Sequence, residues 1–428
     1  MKFTPTTLGL LLASASIAVA SPAAAQYGMP PAPKAPTPST RPAADEPPPS
    51  TEKGPAVSNA ARKEILALQT AVNAKDVATI PTALAAAKAK AKTKDDNYVI
   101  AKLQLKAAAD ANDMNGMAQA AEAVLASGYA AAPEQSTLGL ALGKIYYNDK
   151  AYAKAVPALE RALQIDPNNA EIIETLAYTR SSMGQPAEGV ALLRKAIAGR
   201  LAAGQKAEET WYKRALKMSY DAKLPGTPAI ALEWVAAYPS PKNWRDAIVI
   251  YQSSSGLGDA ALLDTMRLAR VAGALQGEND YYRYTNTLVT KGFPGEAKAV
   301  LDEGFAGNKV NKSSPALGPV YALASSRSQG DRASLAASAT AAKAAADAKK
   351  AMVTAEAYYG YGDYAQAADL YRAALTKSGV DKDLANLRLG MALVGAGDKA
   401  GATAAFNAVG GAQAPVAKLW LTYTAQKA

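Results

Sequence analysis

The sequence predicts an all-α protein in which short antiparallel helix hairpins stack one upon the next as a solenoid. Three observations lead there. Apolar residues recur at helical spacing from Val57 to the C-terminus. Short polar breaks such as Asn148-Asp149-Lys150 cut that pattern into hairpin-sized pieces. The same order of small and bulky residues then returns at an interval of about 34 residues. Composition agrees: hydrophobic residues make up 49% of the 428, yet aromatics are 7% and only four are Phe. A chain so dominated by Ala favours close helix–helix approach over a thick core of large side chains.

Before the helical pattern begins, two segments stand apart. Residues 1–25 read as an export signal, with Lys2 as the positive start and Leu8 to Ala20 as the apolar stretch. Ala23-Ala24-Ala25 forms a small-residue cleavage site before Gln26, and Ala18-Val19-Ala20 offers an earlier one. The apolar run is about 13 residues, short of the ~18 needed to span a bilayer. The expected product is therefore periplasmic or secreted, with no stable membrane insertion after cleavage. Residues 26–56 are Pro-rich, which removes backbone donors and favours extended conformations, and they read as a disordered tether.

Residues 57–428 form the expected solenoid. Residues 58–128 give about four helices, with breaks near Lys75-Asp76, Lys94-Asp95 and Asn115-Gly116. Helical periodicity then runs from Thr137 to Tyr147, resumes from Tyr152 to Ile165 and stops at Asp166-Pro167. Small Gly143 and Ala155 belong where these two helices approach most closely, with Leu142, Tyr146 and Leu159 filling the space around them. A second copy at 170–203 has Leu176-Ala177, Met183-Gly184, Leu193 and Ala196 in matching places. Further copies at 348–381 and 383–416 show Tyr358, Gly362, Tyr364, Ala367 and Tyr371, then Leu389-Gly390, Gly397-Asp398, Ala402 and Phe406. Between 204 and 347 the two-helix rhythm continues with a longer turn at residues 223–228 and a weaker signature. "APVAKLWLTYTAQKA" closes the stack, with Trp420 covering the last apolar face.

The spacing Gly139-x2-Leu142-Gly143-x2-Tyr146, followed by Ala155-x3-Leu159 and Pro167, resembles the tetratricopeptide repeat (TPR) family. Gly replaces the family's Trp and Leu its Phe. The resemblance implies a right-handed α–α superhelix whose first helices line a groove that holds a protein or peptide. Carried onto this chain, the groove-facing residues are Thr137, Leu140, Lys144, Tyr147 and Asn148, then Glu171, Glu174, Tyr178, Ser181 and Ser182. The Lys/Asn/Arg pattern with which some members clamp a C-terminal carboxylate is not apparent.

Chemistry is constrained by what the chain lacks. With no His and no Cys, the commonest general base, the thiol nucleophile, disulfides and most zinc sites are excluded. Ser50 and Lys53 share a Ser-x-x-Lys spacing, but in the Pro-rich tether nothing holds the pair. Asp95-Asp96 and Glu208-Glu209 are adjacent on helices and point apart. "SSSGLGDA" at 253–260 follows a helix, not a strand, and does not make a phosphate cradle. No cofactor or metal is implied, and a non-enzymatic scaffold is the expectation.

The mature chain carries 46 basic and 37 acidic residues once Lys2 is removed. That excess, spread along the chain, and the tyrosine clusters at 281–284 and 358–364 support one alternative partner, an anionic envelope glycan such as peptidoglycan or exopolysaccharide. Lys88, Lys90, Lys92 and Lys94 read as a solvated helix face. Nucleic acid is not expected, because no stacking aromatics are interleaved with those lysines.

Overall fold

A computed structural model describes residues 55–427. The expected signal segment, 1–25, lies outside the described residues, as does nearly all of the tether expected at 26–56. The chain divides into two compact units between Leu192 and Leu193, within a helix of the run that the sequence reading had carried through without interruption. Twenty α-helices and one short 3-10 turn make up the described residues, with a single isolated bridge between Asp347 and Ser378 in place of any sheet.

The N-terminal unit holds α1 (Arg62–Asn73), α2 (Ile80–Lys90), α3 (Lys94–Asp110), α4 (Met114–Ser127), α5 (Ala132–Asn148), α6 (Tyr152–Ile165) and α7 (Ala170–Ser182). The boundary falls inside α8 (Pro186–Ala202). Two of the expected breaks shift by a few residues, to 91–93 and 111–113. The reason is capping. Thr93 accepts from the Asp96 backbone N–H in a reciprocal capping box, and Asp113 accepts from Gly116, so Lys94-Asp95 and Asn115-Gly116 fall inside the first turns they start.

Hairpin turns repeat one geometry. Lys150 takes φ +59°, its N–H donates to Tyr147 O, and Ala151 N–H donates to Tyr146 O. Gly184, Gly362 and Gly397 do the same at φ +81°, +81° and +80°. Lys75, Asn112 and Lys223 repeat it without glycine. These double backbone bonds satisfy the last carbonyls of the first helix and fix how sharply the chain turns back.

Packing in this unit runs in series. Val99, Ile100 and Leu103 of α3 join Ile65, Leu68 and Val72 in one apolar cluster, while Ala101, Leu105 and Ala108 on its other side join Met117, Val124, Leu138 and Leu142 in the next. Leu140 of α5 belongs to a third cluster with Ala155, Leu159, Ala162, Ile172 and Leu176. Each first helix thus seals two neighbours, which is how stacked repeats share a core.

Gly143 is where α5 and α6 meet. A Cβ there would lie 2.3 Å from Leu159 Cδ2, so only glycine permits this approach. Gly143→Val is expected to lower the stability of the N-terminal unit by about 1–3 kcal/mol through overpacking. Urea denaturation followed by circular dichroism checks it, and an unchanged midpoint would contradict the contact.

The C-terminal unit continues with α9 (Glu209–Asp221), α10 (Thr227–Ala237), α11 (Pro241–Ser254), α12 (Asp259–Val271), α13 (Gly277–Thr290) and α14 (Pro294–Ala306). A 28-residue helix, α15 (Leu317–Ala344), interrupts the rhythm before α16 (Lys349–Gly360), α17 (Tyr364–Leu375), α18 (Lys382–Gly395), α19 (Lys399–Asn407) and α20 (Ala414–Gln426). Pro241 opens α11 as its first residue, behind the Ser240 cap. No described helix is long and apolar enough to cross a membrane.

The closing helix does more than cover the end of a stack. Trp420 is fully buried and stacks on Phe406 of α19 at 6.1 Å, and its Nε1–H donates to Asp264 O of α12. Tyr423 OH donates to Val271 O, at the C-terminus of the same helix, and Gln426 Nε2 donates to Val235 O of α10. The last helix of the unit therefore packs against early ones and supplies donors to two carbonyls in their last turns, Val235 and Val271, and to one mid-helix carbonyl, Asp264.

Candidate partner-binding surface

The residues assigned to a groove lie on α5 and α7, the first helices of successive hairpins, and the structure joins them in two cross-helix pairs. Lys144 forms an ion pair with Glu171, and Ser182 Oγ donates to Tyr147 OH at 3.3 Å. Asn148, Glu171 and Ser182 are exposed, and Thr137, Glu174, Tyr178 and Ser181 are half-buried. The remaining three are not open to a partner. Leu140 is 3% exposed and packs in the α5–α7 core, because α5 must seal hairpins on both its sides. Lys144 is fully buried beneath Glu171, and Tyr147 is buried against Tyr152 at 5.5 Å between ring centroids. The first-helix surface thus presents a mixed polar rim over a closed floor.

In the C-terminal unit, α12, α14, α16 and α18 meet in an enclosed ionic cluster. Arg267 of α12 grips Glu296 of α14 with both Nε, at 2.9 Å, and Nη2, at 2.6 Å. The same guanidinium donates to Glu356 of α16 at 2.7 Å and to Asp264 at 3.2 Å. Arg388 of α18 reaches Glu356 Oε1 at 2.6 Å and lies 3.5 Å from Asp264 Oδ1, an attraction without hydrogen-bond geometry. Tyr284 OH donates to Glu296 at 2.6 Å and Tyr371 OH to Glu356 at 2.8 Å, while the Tyr359 ring lies 4.7 Å from the Arg267 guanidinium.

These contacts set the electrostatics. Burial pushes the Glu356 carboxyl up, but Arg267 and Arg388, with the bonds from Arg267 and Tyr371, outweigh it and hold the group below the usual range. For Asp264, burial dominates over Arg388 and Arg267, and its carboxyl is raised. Asp264 Oδ2 is buried without a hydrogen-bond partner. With Arg267 1% exposed, the cluster is sealed from any substrate. It organises the unit.

Sequence reasoning missed this cluster, although a signal exists. Asp264 and Arg267 are interleaved with Leu263, Met266 and Leu268 on a helix where both stripes are buried, and charged groups in such positions need partners across the core. The tyrosines at repeat positions 146 and 358 are half-buried. Tyr281, Tyr284, Tyr359 and Tyr371 are buried, and of the two clusters only Tyr282 is exposed. The basic excess is not spread along the chain. Residues 55–192 carry 14 basic and 14 acidic residues, whereas 193–428 carry 29 and 20. Lys88, Lys90, Lys92 and Lys94 are all exposed, but they do not share one helix face: the break at 91–93 leaves Lys88 and Lys90 at the end of α2, Lys92 in the turn and Lys94 at the start of α3.

Residues 148–200 match the tetratricopeptide repeat family. No curated protein matches the chain in sequence. Solved structures with similarity include the anaphase-promoting-complex hetero-tetramer Cut9–Hcn1, at 12% identity and a TM-score of 0.26, over 75% of this chain and 66% of that one. The apo form of RapI aligns at 12% identity and a TM-score of 0.24, over 78% of this chain and 97% of that one. Naa15/Naa10 bound to HypK-THB aligns at 13% and 0.19, over 83% and 70%. Scores this low carry no argument about function, and the weight rests on the repeats themselves. Of the residues that carry the resemblance, Ala155, Leu159 and Pro167 lie within the matched stretch 148–200, from the end of α5 into α8, and Gly143 and Tyr146 lie just before it.

Proposed function

We propose that the chain is an exported, non-catalytic scaffold that holds a protein or peptide partner on the first-helix surface of its N-terminal unit. One observation carries this reading. The C-terminal unit encloses the Arg267 cluster and Trp420 among its helices, whereas α5 and α7 keep a polar rim of Asn148, Glu171, Ser181 and Ser182 at or near the surface. Binding there relies on shape and scattered polar contacts over stacked first helices, as repeat proteins use their surfaces. Export rests on the signal read at 1–25, and the mature chain then begins after Ala25 or Ala20.

A photo-reactive residue at Ser181 or Ser182 tests the surface, with the exposed Arg161 of α6 as the control position. In envelope extract, the first two positions are expected to give discrete protein adducts at least tenfold stronger than the third. Equal labelling at all three would remove the assignment.

A further inference from the structure

Inside the C-terminal unit the charges do not balance. Three carboxylates, Asp264, Glu296 and Glu356, face two guanidiniums, Arg267 and Arg388, and the side chains of Asp264 and Glu296 are wholly buried. An uncompensated negative charge in such an enclosure is expensive, and the cheapest remedy is one bound proton. The carboxylates are not equivalent hosts for it. Glu296 has both oxygens engaged by Arg267 and a third bond from Tyr284. Glu356 has both engaged by Arg267, Arg388 and Tyr371. Asp264 has one oxygen shared between the two arginines and the other, Oδ2, without any partner.

We infer that Asp264 is held as the neutral acid at neutral pH, and that closure of the C-terminal unit by its last helix therefore depends on pH. The two are adjacent, because the backbone carbonyl of Asp264 accepts the Trp420 indole N–H. The groups facing Asp264 are Arg267 on its own helix, Glu296 on α14, Glu356 on α16 and Arg388 on α18, with Tyr284 of α13 and Tyr371 of α17 bonded to the two glutamates. On the α11 side, Gln252 donates to Thr265 at 2.8 Å. Burial raises the Asp264 carboxyl, and the two other acids add to that rise against the pull of the arginines. A carboxyl raised in the folded state favours folding most fully below its unfolded pKa and gives that up as pH rises through the folded value. The unit should therefore loosen on the alkaline side, a sense opposite to that of Glu356, whose lowered carboxyl is lost to stability as pH falls.

Asp264→Asn in the full-length chain tests this, because asparagine copies the shape of the neutral acid. The wild type is expected to show an infrared band of a protonated carboxyl near neutral pH that D264N lacks. The melting midpoint of the wild type should fall between about pH 6 and about pH 9 more steeply than that of D264N. Absence of the band in the wild type would overturn the inference without recourse to any variant. So would a D264N chain destabilised equally at every pH, since that would make Asp264 an ordinary charged partner of the arginines.

Discussion

Replacing Arg267 with alanine is expected to destabilise the C-terminal unit by about 3–5 kcal/mol, the loss typical when one member of a buried ionic network is removed and its partners stay charged. Glu296 would lose both of its guanidinium bonds, Glu356 one of two, and Asp264 its 3.2 Å contact. Arg388 alone would then face three acids. All four tryptophans, Trp211, Trp234, Trp244 and Trp420, lie in residues 193–428, so selectively excited tryptophan fluorescence during urea unfolding reports on this unit. Arg267→Met combined with Glu296→Gln should recover part of the loss, because it removes the abandoned charge as well. A single-variant effect under about 1 kcal/mol would mean that water or a bound ion neutralises the acids, and the cluster would lose its organising role.

Trp420→Ala is expected to cost about 3–5 kcal/mol by the same measurement, the range for deleting a large buried aromatic without collapse of the space it leaves. The ring is fully buried, stacks on Phe406 and meets the Tyr423 ring edge-on at 6.1 Å. Trp420→Phe isolates the indole bond: it keeps most of the apolar volume and loses the donor to Asp264 O, a deficit of about 1 kcal/mol. An alanine variant as stable as the wild type would show that α20 lies on the unit without sealing it.

Elements with strong local determinants were legible in the sequence. The α5–α6 hairpin follows from Gly143, the Asn148-Asp149-Lys150 turn and Pro167, and the structure places its helices at Ala132–Asn148 and Tyr152–Ile165. Capping explains the shifted breaks, since Thr93 and Asp113 bind backbone N–H groups that periodicity does not register. The 28-residue α15 was harder to see, because Gly330 and the polar residues around it resemble a break; Ala324, Ser328 and Leu335, buried along its length, fit the helix that spans them. At the candidate surface, the rim residues were readable from the repeat, but the burial of Leu140 and Lys144 was not. Their environment depends on how the next first helix stacks, and one hairpin's spacing carries no information about that. The ionic cluster spans residues from 264 to 388, and no local pattern links positions so far apart.

The way α20 is tied down has a consequence for how the chain acquires its structure during synthesis. Trp244 and Gln426 are 182 positions apart, Asp264 and Trp420 156, and Val235 and Gln426 191. Contacts of such long span must pay the entropy of closing a large loop before they return anything, and they slow the search for the native state. The N-terminal unit, whose clusters join sequence neighbours, can condense while the ribosome is still working. The C-terminal unit must wait for the final turn of its final helix, and until then the sites for Trp420 and Tyr423 stand empty and adhesive.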